Sequence, residues 1–384
     1  MQPIQYGIDH LLRQAGNYKS MPLALVTNDA AATADGLLSR VALLQEGFNL
    51  VKLFSPEHGI SCAGEDGAPM QHHIDAETGL PVISLYGTQQ APTSNDLRGI
   101  ESVLFDIPDV GCRFYTYLWT LTHVMEACAK NNIPLVVLDR PNPTGALLTL
   151  AEGPLLNETD CASFIGRWSI PLRHCCTLGE LALYFAATRL PGLRLQVIPV
   201  SHYQRHFISP NDFPFVPTSP AMQYPDAAQL YPGTGLLEGV NINEGRGTHH
   251  PFTVCGAPFI DSRTLLHAWN QLAIAGIQTS ACSYKPGSGL YAGETCHGLK
   301  FTVINPQPLQ PVALGIALLQ TLLRLYPQHL TERLYPTVAN PGGSGHLDKL
   351  LGIPNTWKTL QKRQPIYLSV NPYWETTMKP YLIY

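Results

Sequence analysis

The sequence predicts an α/β fold: a Rossmann-like parallel sheet domain followed by a second, smaller α/β domain. Three observations predict it. Short, nearly continuous apolar runs alternate with helix-periodic segments through the first half. Each run ends in a polar or Gly/Pro cluster. A chain of 384 residues is also too long for one average core. The strand candidates are Leu23–Val26, Leu50–Phe54, Val82–Leu85, Val103–Phe105, Leu135–Leu138 and Leu193–Val200. Runs of this kind are buried on both faces of a parallel sheet. Helical periodicity marks 36–45, with Leu37, Leu38, Val41 and Leu44, and 117–130, with Leu118, Leu121, Val124, Met125 and Cys128. A third helix at 177–188 opens with Thr177 and Glu180 at capping-box spacing.

A Pro-rich stretch, 210–225, interrupts the alternation, and 231–251, rich in Gly, Asn and Glu, reads as a long ordered loop entering a cleft. A second unit starts near Phe252, with a helix at 263–275, a strand at 299–303 and a helix at 311–326; the tail beyond Asn340 is less regular. The expected division is 1–250 for the Rossmann-like catalytic domain and 251–384 for the smaller domain closing the cleft.

Composition narrows the function classes. Charged residues make up 14% of the chain and the net charge is −4, which excludes a large basic footprint for nucleic acid. No apolar run approaches the roughly 18 residues that span a bilayer, and no basic n-region with an apolar core opens the chain. Nine cysteines without CxxC spacing fit free thiols in a reducing cytosol; a chain whose leader had been removed would work in the periplasm or outside the cell. GxGxxG after the first strand, GxxxxGK[ST], GxSxG and HExxH are all absent. His72-His73 and His249-His250 are adjacent pairs rather than i,i+4 ligands. Neither a cofactor nor a metal is expected.

What ends the strands is informative. Asn28, Glu57, Asp106, Asp109, Asp139, Arg140 and Asn142 all follow strand candidates, and the C-terminal strand edges of an open parallel sheet form its binding crevice. One Asp after a strand is often only a helix cap; a convergent set points to a site. Glu57 is the sharpest member. Pro56 fixes the turn before it and His58-Gly59 let the chain reverse, so the turn is a rigid mount for a general acid. The bland reading is a carboxylate satisfying amides at a helix start. Asn241 to Gly247 concentrates amide, carboxylate and guanidinium groups and can place Glu244 opposite Glu57, or merely turn Glu244 and Arg246 to water. Asp109 to Tyr117 offers Arg113 for an anion and Tyr115 for a sugar face, though aromatics there can equally be core. Arg173 and His174 add another cation and an imidazole.

The strings FSPEHG (54–59), TGLPVISLYG (78–87), FDIPDVGCRFYTY (105–117), LDRPNP (138–143), EGP (152–154), PLRHCCTLGEL (171–181), YPGTGLLEGVNINEGRGTHHPF (231–252) and GAPFID (256–261) closely resemble the exo-β-N-acetylmuramidases of NamZ type. The resemblance runs along essentially the whole chain. It implies a Rossmann-like domain joined to a smaller α/β domain, with the active site at their junction. It also implies release of N-acetylmuramic acid (MurNAc) from the non-reducing ends of peptidoglycan fragments. A muramyl sugar, such as MurNAc-GlcNAc or a longer glycan end, is the partner; neither nucleic acid nor a membrane is. The resemblance carries over Glu57 and Glu244 as the acidic pair, with His58, Arg113, Asp139, Arg140, Asn142, Arg173, His174, Asn241 and Arg246 as pocket residues. Three positions depart from the family pattern: Pro108 for Gln, Cys175 for Gly, and Ala221 for Asn.

In the mechanism this implies, Glu57 protonates the glycosidic oxygen. Glu244 is then base or nucleophile, with a carboxyl separation of about 5–5.5 Å for retention or about 6.5–9.5 Å for inversion. Alternatively the substrate's acetamido group attacks while Glu244 or Asp139 orients it. Arg113, Arg140, Arg173 and Arg246 are the candidates for the lactyl carboxylate. Two other classes stay open: another amino-sugar or phosphosugar hydrolase on the same scaffold, and a non-catalytic muropeptide-binding protein.

Overall fold

The computed structural model describes residues 3–384 except 66, 69–70, 209–211, 338–339 and 371, and the side chain of residue 17. The expected parallel sheet is present. Its strands are β1 (Leu23–Thr27), β2 (Leu50–Ser55), β3 (His73–Ile74), β4 (Pro81–Ser84), β5 (Ser102–Asp106), β6 (Leu135–Leu138) and β7 (Leu195–Ile198), in the order β3-β4-β2-β1-β5-β6-β7. All neighbours pair in parallel except the short edge strand β3. The order from β4 to β7 is that of dinucleotide-binding Rossmann sheets, with the reversal between β1 and β5.

Every residue of β1, β5 and β6 is buried. Alternate residues serve opposite faces, as the pleat requires. Ala24, Val26, Val103, Phe105, Leu135 and Val137 join one core. Leu23, Leu25, Leu104, Val136 and Leu138 join the other. This is why the strands read as unbroken apolar runs. The helix Tyr117–Lys130 packs into the first core. The helix Leu178–Arg189 starts at Thr177 with the predicted capping box.

The second sheet is antiparallel, with β8 (Val254–Ala257), β9 (Ile277–Tyr284) and β10 (Cys296–Val303) in the order β8-β10-β9. Strand β9 escaped the sequence reading: its exposed polar residues Gln278, Ser280 and Ser283 dilute the apolar signal. The same apolar core that covers one face of the large sheet continues through the helix Pro311–Leu325 to Leu299 and Phe301 of β10. Glu152, far upstream, accepts the amides of Val312 and Ala313 at the start of that helix, at 3.1 and 2.5 Å.

The expected loop at 231–251 is only partly a loop. Pro225–Thr234 is α-helical with Pro232 inside it, and Gly235–Gly239 continues as a 3₁₀ turn. Residues 227–234 of this helix are all buried, so it lacks the polar face that makes a helix legible. Of the Pro-rich stretch before it, 210–211 lie outside the described residues. The tail contains the short helices His346–Leu351, Thr356–Gln361 and Tyr373–Met378. Among the described residues no helix is long and apolar enough to cross a membrane.

The buried helix crosses Pro311–Leu325 glycine to glycine. A Cβ on Gly315 would lie 2.4 Å from the Gly233 carbonyl oxygen and 2.6 Å from its Cα. Backbone cannot yield there as a side-chain tip could. Gly315→Ala is therefore expected to cost about 1–3 kcal/mol, read as a lower urea midpoint. Gly192→Ala, where a Cβ meets nothing within 4 Å, should leave the midpoint unchanged. Equal midpoints for both variants would contradict the crossing.

Candidate active site

The chain leaves β2 through Pro56 and reverses at His58 and Gly59, both with left-handed φ, +68° and +71°. For His58 such a φ is uncommon and is held by its own ring: Nδ1 lies 2.8 Å from the Gly64 carbonyl oxygen. The turn aims Glu57 into a cavity of about 740 Å³, within the size range of small-molecule sites. Thr116 Oγ1 donates to Glu57 Oε2 at 2.7 Å, and the Gly67 amide to Oε1 at 3.1 Å.

Aromatic rings wall the cavity. Phe114, Tyr231 and Phe252 pack edge to face in a chain, with centroids 4.8 and 4.6 Å apart. Tyr86 meets Phe164 in the same way at 5.1 Å. Tyr115 also lines it, its hydroxyl 2.5 Å from Thr218 Oγ1. The second sheet's half contributes Glu238, Arg246, Tyr335, His346 and Lys349. The cavity therefore lies where the two halves meet.

Arg246 organises the far wall. Its Nε and Nη2 donate to Glu238 Oε1 at 3.1 and 2.9 Å, and Nε also lies 3.3 Å from Glu244 Oε1. Its guanidinium sits 5.0 Å over the Phe252 ring. Glu244 is fully buried; desolvation and the neighbouring Glu238 charge push its pKa up to about 7, against the pull of Arg246. Its Oε2 has no hydrogen-bond partner among the described residues. Glu244 faces an adjoining groove of about 1070 Å³ that shares Ala221, Arg246 and Tyr335 with the cavity. Of the two acids sharing Arg246, it is Glu238 that lines the Glu57 cavity. The sequence reading passed over Glu238 because it follows Leu236-Leu237 in an apolar run.

Several residues expected at the sugar are engaged elsewhere. Arg140 sits at the β1/β5 reversal, its Nε 2.6 Å from Asp106 Oδ1 and its Nη2 3.0 Å from Oδ2. A guanidinium–carboxylate fork of the protein itself thus fills the crevice that binds ligands in other Rossmann sheets. Arg113 donates to the carbonyls of Pro154, Ile170 and Leu350 at 2.7, 2.9 and 3.1 Å. Arg173 donates to the carbonyls of Leu309 and Thr144. Asp139 accepts from Thr177 Oγ1, the Gly179 amide and Tyr384 OH at 2.7, 2.8 and 2.7 Å, a helix start and the chain end. Asn142 bridges the Cys176 carbonyl and the Thr144 amide. Asn241 clamps His329 and Thr331 backbone, and Asn28 accepts the Ala30 amide. None of these eight lines the Glu57 cavity. Most are placed by acceptors or donors distant in sequence, which strand-end position alone does not reveal; Asn28 is held locally by the Ala30 amide.

Asp109 lines a separate cavity of about 360 Å³ with Pro108 and Arg140. Its Oδ2 accepts the Gly111 amide at 2.8 Å, and His174 Nε2 stands 3.6 Å away, beyond hydrogen-bond reach. Two of the three departures from the family pattern have a visible setting. Ala221 lines both the Glu57 cavity and the groove. Cys175 has φ +54°, a conformation that glycine adopts without strain.

Comparison with known proteins agrees with this architecture. Residues 23–226 match the family model for the N-terminal part of exo-β-N-acetylmuramidase NamZ, and residues 229–384 match the model for its C-terminal part. The peptidoglycan β-N-acetylmuramidase NamZ of Bacillus subtilis (strain 168) is 38% identical over 393 aligned residues, covering 99% of this chain and 91% of that protein. Two crystal structures of DUF1343 family proteins from Bacteroides fragilis NCTC 9343 superpose with TM-scores of 0.87 and 0.73, at 26% and 25% identity. The first covers 100% of both chains and the second 99% of both. The chain belongs to the exo-β-N-acetylmuramidase NamZ family, and is a glycosidase.

Proposed function

We propose that this chain releases MurNAc from the non-reducing end of peptidoglycan fragments, MurNAc-GlcNAc or longer glycan ends, with Glu57 as the general acid. The observation that carries the reading is the placement of Glu57: a buried carboxyl in a strand-end turn, facing an aromatic-walled cavity where the two halves of a NamZ-family chain meet. Tyr and Phe rings suit the apolar faces of a pyranose. Thr116 and the Gly67 amide hold the carboxyl at a fixed position, as proton delivery to a leaving oxygen demands.

The second carboxyl role falls to the pair that Arg246 bridges. Glu238 lines the same cavity as Glu57 and is the member in reach of the anomeric side or of the substrate's acetamido N–H. Glu244, expected from the sequence to act there directly, sits behind Arg246 and sets how much positive charge Arg246 offers Glu238. His58 and Tyr115 complete the pocket on the Glu57 side.

Chromogenic β-MurNAc and β-GlcNAc glycosides test the assignment. The wild-type protein should hydrolyse the muramyl substrate preferentially, and inactivity on it would sink the reading. Glu57→Gln should lower kcat by about 10²–10⁴-fold, and full activity in that variant would remove Glu57 from the acid role. Glu238→Gln should lose more activity than Glu244→Gln; the reverse order would return the direct role to Glu244.

Glu244 also predicts a pH dependence of stability. Its folded pKa, about 7, lies above the ordinary 4.5. Between those values the folded chain holds a proton that the unfolded chain releases. Raising pH through this window therefore favours unfolding, and the group's destabilisation is complete above about 7. Chemical denaturation at pH 5, 6, 7 and 8 should show this loss in wild type and a flatter profile in Glu244→Gln. Parallel profiles would refute the raised pKa.

A further inference from the structure

One cavity wall carries buried side-chain nitrogens with no hydrogen-bond partner among the described residues, Asn340 Nδ2 and His346 Nε2. His346 Nε2 lies 3.7 Å from Glu238 Oε2, an ion-pair distance but too long for a hydrogen bond. The imidazole is held flat against Tyr335, centroids 4.4 Å apart and planes within 8°. Lys349 Nζ donates to the Ser344 carbonyl at 3.3 Å, and no ion pair to it is found among the described residues. Asn340, His346 and Lys349 all line the Glu57 cavity. His346 and Lys349 stand three residues apart on one helix and so share a face.

The four arginines considered from the sequence for a substrate carboxylate contrast with this wall. Arg113 and Arg173 are caged by backbone carbonyls, Arg140 by Asp106, and Arg246 already serves two carboxylates. Among the described residues that line the cavity, Lys349 is a cation with no carboxylate partner, available to an arriving anion.

We infer that Lys349, flanked by Asn340 and His346, is the carboxylate-recognising element of this cavity, and that its ligand is the carboxylate of a lactyl ether on the amino-sugar ring. The inference rests on the muramidase reading above and assigns that reading's substrate specificity to named residues. A lysine ammonium has three donors, of which one is used. Burial lowers the Lys349 pKa from its ordinary value, the mark of a poorly hydrated ammonium that a carboxylate stabilises through charge-assisted hydrogen bonds.

The test is the ratio of kcat/KM on β-MurNAc and β-GlcNAc chromogenic glycosides. Lys349→Met should lower kcat/KM on the muramyl substrate by about 10–100-fold, mainly through KM, and so lower the muramyl-to-GlcNAc ratio. Lys349→Arg should keep the muramyl preference, which separates lost charge from lost fold. A Lys349→Met protein with the wild-type ratio overturns the inference and leaves the muramidase reading standing. A wild-type protein that cleaves neither glycoside overturns the reading itself. Calorimetry with free MurNAc and GlcNAc then decides the binding element: a MurNAc preference abolished in Lys349→Met upholds it, and equal affinity of the wild type for both sugars overturns it.

Discussion

The cage around Arg113 is the contact on which the site's two-sided construction depends. Its guanidinium is fully buried and reaches, from the segment after β5, the carbonyls of Pro154 and Ile170 on one side and Leu350 on the other. Leu350 is near the C-terminal end of the helix that carries His346 and Lys349, where unpaired carbonyls favour a cation. Burial lowers the Arg113 pKa to about 10, which leaves it charged at neutral pH. Removing one side of the cage would strand a buried charge. The approach is so close that a Cβ on Gly352, which also has φ +82°, would lie 2.3 Å from Arg113 Nη2. The helix wall and the Glu57 wall are thus locked in register by one side chain. Glu152 does the same for the helix Pro311–Leu325, so two side chains of the Rossmann half anchor elements of the other.

This explains which parts of the molecule were legible in the sequence. The six parallel strands were: β1, β5 and β6 are buried on both faces and leave an apolar run with a polar end, and the partly exposed β2, β4 and β7 are still mostly apolar. Glu57 was, because Pro56, His58 and Gly59 state the geometry of its turn locally. Arg113 was read as an anion binder, since a carbonyl cage and a carboxylate ask the same fork of donors; only the fold shows which acceptor is present. Asp139 ends a strand as a catalytic acid would, yet one of its partners is Tyr384 at the far end of the chain. The helix Pro225–Thr234 was illegible for the opposite reason: burial all round, and Pro232 inside it, remove the polar periodicity that announces helices. Glu238 was hidden in the same stretch, an acid within a run that reads as core.

The far wall of the cavity is a problem in shared charge. Glu238 and Glu244 compete for Arg246, and burial removes the water that would screen them from one another. Burial above all, and the Glu238 charge second, raise the Glu244 pKa, and a proton on Glu244 relieves both. Arg246 then belongs to Glu238, held from two nitrogens at 2.9 and 3.1 Å. A guanidinium so engaged has little left to offer a further anion. This agrees with the proposal that recognition of an anionic substituent falls to the wall contributed by the tail, outside this triad.

That division of labour has a consequence for how the enzyme tells sugars apart. The proposed proton donor Glu57 and most of the cavity's aromatic rings come from the Rossmann half, whose strand ends are fixed by a continuous core. The groups proposed to sense a charged substituent come from the short helix His346–Leu351, which buries Leu347, Leu350 and Leu351 in the shared core and receives Arg113 at the Leu350 carbonyl. On the roles proposed above, discrimination between amino sugars and proton transfer to the leaving oxygen rest on different elements. Charge on the Lys349 side can change with little effect on the geometry at Glu57, whereas loss of the Arg113 cage would disturb both walls at once.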